Sequence, residues 1–288
     1  LRRMFERILD VIFNYAKRNY NVLQNRRMFD VAFDIHRIPY YGDKNDPYVC
    51  EGKRDRGTTH FHQFLTCSIV VAGRRFVIDV VPIHKLNQIH KLLDESLTRV
   101  KRKIRINRAF LDREFDKPKI INVLKNQKIN FIMPKIRSDT VKAWFDKSEA
   151  IESRVIHDFQ IGKRGEIAIV NLILVDDELG IKHAFICNFD IAPCLAYRFY
   201  EWYSKRWGIE TGYRNKDHDF KPRTTTKNYC IRLFYFLFSC CLYNLWVLVN
   251  ICVSLAVYGR IKGKPIITAK LFAILLYKAQ IEYFDDGG

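Results

Sequence analysis

The spacing of apolar residues along the first half of the chain predicts short strands separated by helices. Residues 29–35, FDVAFDI, alternate strictly between apolar and polar or small side chains, which is typical of a half-buried strand. The predicted elements are, in order, a helix at 1–20, a strand at 29–35, a β-hairpin at 64–83, a helix at 84–103, a strand at 104–112, a helix at 117–127 and a strand at 129–134. This order predicts an α/β fold whose mixed sheet begins with antiparallel strands.

From residue 136 to residue 191 the pattern changes to three apolar runs separated by polar turns, which predicts a β-rich insertion. We interpret the acidic string at 176–178 as a solvated hairpin turn. A helical pattern follows at 193–217, and the threonines at 224–226 are candidate N-caps for a later apolar helix. The chain therefore divides into an N-terminal helical segment at 1–28, the first part of the core at 29–135, the β-rich insertion at 136–191, and a helical region at 192–288.

No charged residue occurs between Arg232 and Arg260, and this apolar run has two interpretations. A helix over residues 233–259 is long enough to cross a bilayer, which would make the chain a membrane protein with one span. The run also contains Asn244 and Asn250, and the residues before it contain no equivalent run. These features favour a helix buried in a protein core, with no membrane partner.

The excess of basic residues indicates what kind of partner the chain binds. The chain has 288 residues with 49 Lys and Arg against 31 Asp and Glu, which gives a formal charge of +18. This excess predicts a polyanionic partner, with nucleic acid ahead of an acidic membrane surface. The eight cysteines include no CxxC pair, so we expect reduced, mostly buried thiols in a cytoplasmic protein rather than a structural zinc site.

Three acids fall at positions where the predicted topology would bring them together. The order of elements is that of a ribonuclease-H-like core, in which the first and fourth strands lie side by side at the centre of the sheet. Asp34 lies on the first strand, Asp112 ends the fourth, and Glu210 lies on the later helix. Three close carboxylates repel one another unless a cation is present, and their hard oxygens suit Mg²⁺ or Mn²⁺. Alternatively, the two aspartates only cap strand ends and Glu210 pairs with Arg206.

The stretch YSKRWGIETGYRNK at 203–216 carries its polar residues on one helical face. Tyr203, Arg206, Glu210 and Arg214 all lie on this face at about 100° per residue. The two glycines each cost a helix about 1 kcal/mol relative to alanine. Their presence indicates that a partner approaches the backbone closely here.

Together with FDIHRIPYYG at 33–42 and FLDREF at 110–115, this stretch resembles the DDE transposases of bacterial and archaeal insertion sequences. The resemblance is to the cut-and-paste group with a Y-R-E-K signature, and it covers residues 29–250. It implies a ribonuclease-H-like catalytic core that uses two Mg²⁺ or Mn²⁺ ions in DNA cleavage and strand transfer. It also implies that Asp34, Asp112 and Glu210 are the catalytic metal ligands.

The resemblance further implies a DNA interface on the same motif. Tyr203 and Arg206 would contact the transposon end, and a homodimer would act on transposon ends and target DNA. The signature lysine does not match, because Lys216 comes one position early and the chain has Asp217 at the expected place. Either Arg214 or Lys216 would then hold a phosphate. A catalytically inactive DNA-binding remnant of a transposase is the alternative to an active enzyme.

Other acids and histidines have structural interpretations. Asp30 shares a strand face with Asp34 but lies near the strand start, and we expect Asp79 to be an acid at an edge or a turn. His60 and His62 form an H-x-H pair without a third nearby ligand. We therefore expect structural or surface roles for them.

Overall fold

The computed structural model describes residues 1–20, 28–71, 74–84, 89–146, 153–163, 165–204, 220, 222 and 224–285. Its helices are α1 (Arg2–Asn19), α2 (Ile89–Lys103), α3 (Pro118–Asn126), α4 (Asp139–Asp146), α5 (Arg198–Ser204), α6 (Tyr229–Tyr258) and α7 (Ala269–Asp285). Its strands are β1 (Phe29–Pro39), β2 (Cys50–Asp55), β3 (Thr58–Val71), β4 (Arg74–Ile83), β5 (Ile106–Phe110), β6 (Phe131–Pro134), β7 (Ser153–Lys163), β8 (Glu166–Asp176) and β9 (Lys182–Cys187).

All nine of these strands belong to one mixed sheet. Their order is β2-β3-β1-β5-β6-β9-β8-β7, and β4 pairs with β3 beside this path. β1 pairs with β3 antiparallel and with β5 parallel. β6 continues the parallel arrangement on the other side of β5. The sequence prediction that the first strand lies beside the strand preceding Asp112 is therefore confirmed.

The alternation in β1 decides which side chains of this strand face the core. Phe29, Val31 and Phe33 are almost completely buried, whereas Asp30 and Asp34 keep part of their surface exposed. Burial of a large apolar side chain contributes about 1.5–3 kcal/mol relative to its exposure. A shift of one residue in register would move these phenylalanines to the other face.

Strands β7, β8 and β9 form an antiparallel meander that extends the same sheet. β9 pairs with β6 through Ile132 and Cys187, and β8 and β7 follow outward. The register of β7 shifts between Ile156 and Phe159, where Asp158 has a positive φ of 53°. The three strands predicted for residues 136–191 are present, and the short helix α4 precedes them.

The acidic string between β8 and β9 is a hairpin turn, as predicted. Asp177 Oδ1 accepts hydrogen bonds from the backbone N–H groups of Leu179 and Ile181, at 3.0 and 2.8 Å. Its Oδ2 lies 2.9 Å from His183 Nε2. Gly180 supplies the positive φ of 72° that the turn requires.

The chain divides into two compact units. One contains Leu1–Arg26, Val71–Ile78 and Gly208–Gly288, and the other contains Arg27–Val70 and Asp79–Trp207. In the first unit, α1 contacts α6, with Phe5 packed edge-on against Phe234 at 5.5 Å between ring centroids. The four segment boundaries derived from the sequence stay predictions.

Helix α6 is the apolar run of the sequence. It begins after Asn228, whose side chain accepts a hydrogen bond from Ile231 N, so the prediction of an N-cap among threonines 224–226 is wrong. Thr226 instead accepts a hydrogen bond from Asn228 N, which shapes the turn before the helix. Among the described helices, α6 is the one long and apolar enough to cross a membrane, and just over half of its most apolar window is buried.

Asparagines inside α6 bond to this chain's own backbone. Asn244 is completely buried, donates to Val77 O at 2.8 Å and accepts from Val77 N at 2.9 Å. Asn250 accepts from the N–H groups of Ile266 and Ile267 at 2.8 and 2.9 Å. These bonds support the interpretation of α6 as a core helix.

Candidate active site

The pairing of β1 with β5 brings together the two chain segments that carry Asp34 and Asp112. In this parallel register Ala32 lies opposite Phe110, and Asp34 and Asp112 each follow their strand's paired residue by two positions. Adjacent strands are separated by about 4.8 Å, so the two segments that lead to the aspartates run side by side up to Ala32 and Phe110. Both side chains are half-buried.

Asp112 lies in a turn rather than in a strand. β5 ends at Phe110, and Asp112 is the N-cap of a 3-10 helical turn formed by Arg113–Phe115. Its Oδ1 accepts a hydrogen bond from Glu114 N at 2.9 Å. The prediction that the strand ends on Asp112 is therefore wrong by two residues, because the aspartate competes for the N–H of the turn.

An ion pair joins this turn to β1. Arg37 Nη2 donates to both carboxylate oxygens of Glu114, at 2.7 and 2.6 Å. Arg37 follows Asp34 by three residues and Glu114 follows Asp112 by two, so the pair links the two chain segments that carry the acids. Both side chains keep about a third of their surface exposed.

A second ion pair joins the same turn to β6, on the opposite side of β5. Lys135 Nζ donates to both carboxylate oxygens of Asp116, at 2.9 and 2.7 Å. The Asp116 side chain is only 3% exposed. Residues 112–116 are thus held by one cation on β1 and by another directly after β6, the two strands that flank β5.

Two other acids of the sheet, Asp30 and Asp79, have structural partners. Asp30 accepts a hydrogen bond from Asn107 Nδ2 at 2.7 Å and lies 3.5 Å from Arg108 Nη2. Asp79 lies on β4, which pairs with β3 beside the main strand path, and its side chain is completely buried instead of facing a turn. It forms an ion pair with Arg99 at 2.9 Å and accepts a hydrogen bond from Ser96. Neither acid lies in register with Asp112.

The histidine pair has no metal-like arrangement. His62 is completely buried and packs on the ring of Tyr40 at 4.6 Å between centroids. His60 Nε2 lies 3.9 Å from Glu51 Oε1. Within the described ranges, no three His, Cys, Asp or Glu side chains cluster as a metal site would require.

All eight cysteines are free thiols, as the sequence predicts. Burial raises the pKa of Cys50 to about 11 and the pKa values of Cys187 and Cys241 to about 12. Thiols with such pKa values are almost entirely protonated near neutral pH. These cysteines are therefore unsuited to bind a metal or act as nucleophiles.

Most of the predicted third motif lies outside the described residues, namely Arg206, Glu210, Arg214 and Lys216. Tyr203 lies in the last turn of α5. It is only 8% exposed, and its ring lies 5.4 Å from that of Phe185 on β9. The observed contacts of this tyrosine are thus structural, and its contact with DNA stays a prediction.

The sequence did not predict two interactions near the site, the Arg37–Glu114 ion pair and the contact between Arg108 and Trp202. Arg37 and Glu114 both lie within the quoted motifs, and their short spacing from the acids is the signal that could have singled them out. Arg108 lies 4.6 Å from the ring of Trp202, a cation–π contact that connects β5 with α5. No local pattern in the sequence indicates this second contact, since it joins residues far apart in the chain.

The two described aspartates fit a divalent cation of the Mg²⁺ type. They supply carboxylate oxygens from segments that follow two paired strands, and the backbone N–H of Glu114 fixes the orientation of Asp112. Hard oxygen donors of this kind suit Mg²⁺ and Mn²⁺ better than softer metals. Two carboxylates leave room for a third ligand.

Comparison with known proteins gives one family match and one match to a solved structure. Residues 31–245 match the family model described as Transposase DDE domain. A cryo-EM structure of the piggyBac transposase synaptic complex with hairpin DNA resembles the chain with a TM-score of 0.59 at 11% identity. The match covers 93% of this chain but only 56% of that one, and it shows that the fold is ribonuclease-H-like, as predicted. None of the curated proteins compared matches the chain.

Proposed function

The chain belongs to the Transposase DDE domain family, and from this premise we propose that it catalyses metal-dependent DNA cleavage and strand transfer. One observation carries the proposal. Asp34 on β1 and Asp112 in the turn after β5 each lie two residues beyond Ala32 and Phe110, which are paired on adjacent parallel strands. We propose that the two carboxylates meet at one site, where their mutual repulsion is costly unless a cation neutralises it.

We assign Asp34, Asp112 and Glu210 as the ligands of two Mg²⁺ or Mn²⁺ ions. Such ions, when bound, lower the pKa of a water molecule and stabilise the leaving oxygen during phosphodiester cleavage. The role of the chain is to hold the carboxylates in place. Asp34 is held by β1, which pairs with β3 on one side and β5 on the other. Asp112 is held by a turn in which the backbone N–H of Glu114 donates to the Asp112 carboxylate.

We propose that residues of the third motif contact the DNA, and the positive net charge of the chain supports this proposal. Arg206 and either Arg214 or Lys216 would bind phosphates next to the cleaved bond, and Tyr203 would complete the contact. The solved piggyBac complex holds hairpin DNA, and we propose DNA ends of that general kind as the substrate here. Two copies of the chain would each act on one end, in the cytoplasm.

Cleavage of labelled duplex DNA from the sequence flanking the gene tests the assignment. We expect nicking in Mg²⁺ or Mn²⁺ and its loss in Asp34→Asn, Asp112→Asn and Glu210→Gln. The loss should reach about 100-fold, the lower range for removal of one group that stabilises transition-state charge. Far-UV circular dichroism would establish that each variant is folded.

Asp30→Asn is the matched control, because Asp30 lies on the same strand but bonds to Asn107 and Arg108. We expect this variant to cut at a rate close to that of the unmodified chain. Cleavage at the normal rate by Asp34→Asn or Asp112→Asn would contradict the proposal. Tight DNA binding without cleavage in either metal would favour an inactive DNA-binding remnant.

A further inference from the structure

The segment that carries Asp112 is held from both sides by ion pairs that the proposed chemistry does not itself use. Arg37 from β1 binds Glu114, and Lys135 from the end of β6 binds Asp116. In each pair a single nitrogen contacts both oxygens of its carboxylate. The two cations thus fix residues 112–116 relative to the strands on either side of β5.

The pair on the β1 side connects directly to a proposed metal ligand. Glu114 offers its side chain to Arg37 and its backbone N–H to Asp112 Oδ1, at 2.9 Å. The position of Glu114 therefore determines where that N–H points, and the N–H determines the orientation of the Asp112 carboxylate. Arg37 lies on the strand that carries Asp34. One connected path of bonds thus joins the two acids.

We propose that Arg37 and Glu114 are positioning residues that align the Asp112 carboxylate with Asp34 for divalent metal binding. The inference rests on the proposed function, because it requires these two aspartates to share a metal. Groups that orient metal ligands through hydrogen bonds typically affect metal affinity by about 10–100-fold when removed. The ion pair adds little to overall stability, since solvent screens a pair whose side chains are partly exposed.

Mn²⁺ binding to the full chain, measured by electron paramagnetic resonance of the free ion, tests the inference without an activity assay. We expect Arg37→Gln and Glu114→Gln to weaken Mn²⁺ binding by about tenfold. Their thermal unfolding midpoints should stay close to that of the unmodified chain. Arg37→Lys should keep most of the affinity, because one ammonium nitrogen can contact both oxygens as Arg37 Nη2 does.

Lys119→Gln is the control, since it breaks another exposed ion pair, with Glu166 at 3.4 Å, that has no bond to Asp112. Unchanged Mn²⁺ affinity in Arg37→Gln, or an equal loss in Arg37→Lys or Lys119→Gln, would overturn the inference. Asp112→Asn distinguishes a failure of the positioning role from a failure of the proposed metal site. If it weakens binding while Arg37→Gln does not, only the positioning role fails; if it also leaves binding unchanged, the proposed metal site fails as well.

Discussion

Asn244 bonds to both backbone groups of Val77 from within a long apolar helix. The residue is completely buried, so water cannot replace either bond. Buried backbone groups that lose a partner cost about 1–3 kcal/mol each. One amide side chain therefore fixes how α6 lies against β4 within its unit, which uniform apolar packing would leave less specific.

Asn244→Leu should destabilise the chain although it makes α6 more apolar. It leaves the N–H and C=O of Val77 unpaired, so we expect a loss of about 2–6 kcal/mol in the free energy of unfolding. Urea unfolding followed by circular dichroism measures this loss. Asn228→Ala, which removes the N-cap of the same helix, should cost only about 1 kcal/mol. A more stable Asn244→Leu variant would refute the core-helix interpretation.

At this scale the sequence predicts side-chain faces better than side-chain partners. Strict alternation in FDVAFDI places Asp34 away from the buried phenylalanines, and the structure agrees. The partners of Arg37 and Asp79 were missed because each lies on a different element. Only the assembled sheet shows that Asp79 faces Arg99.

The sequence predicted the elements whose apolar pattern is strong. It did not predict the elements whose formation depends on contacts with other parts of the chain. β2, with the sequence CEGKRD, has no apolar alternation, and it forms by pairing with β3 across a tight turn. The short helix α4 was absorbed into the predicted β-rich region. Its buried residues, Val141 and Phe145, are too few to give a helical period. Tertiary contacts override local propensity in both cases.

The β8–β9 turn carries a prediction about pH. Hydrogen bonds from His183 and from the N–H of Ile181 lower the pKa of Asp177 below its ordinary value. A carboxyl whose pKa is lowered by folding stabilises the folded state above its unfolded pKa and loses this effect as pH falls through the folded value. Near neutral pH, Asp177→Ala should therefore speed amide hydrogen exchange at Leu179 and Ile181 severalfold.

The same substitution should have little effect on exchange below the lowered pKa, where the unmodified carboxyl is already protonated. Glu178→Ala is the matched control, because this neighbouring acid is exposed and makes none of the turn's bonds described above. Equal exchange rates in Asp177→Ala and the unmodified chain at pH 7 would show that the side chain does not hold the turn.

The order of the central strands could be predicted in part from the sequence. The attachment of strands β7–β9 to this sheet could not. The strand and helix order indicated that β1 and β5 are neighbours, because few topologies satisfy that order. The attachment of β9 to β6 joins residues such as Ile132 and Cys187, which are far apart in the chain. A pairing of this kind leaves no local signal. The β-rich insertion predicted from the sequence therefore adds its strands to the central sheet.

The formal charge of +18 predicts a steep salt dependence for DNA binding. Contacts to 6–10 phosphates would lower affinity by about 10³–10⁵ between 50 and 200 mM salt. Fluorescence anisotropy of a labelled duplex at increasing NaCl measures the slope, and Arg206→Gln should reduce it by about one phosphate contact. An affinity that hardly changes with salt would exclude the basic residues as the DNA-binding surface.

The register shift in β7 has a consequence for how copies of this chain behave at high concentration. β7 ends the described sheet, and a straight outermost strand offers its open backbone groups to strands of other molecules. The extra residue near Asp158 bends this strand out of line and puts a charge at the bend. Intermolecular growth of the sheet is thereby discouraged at this edge.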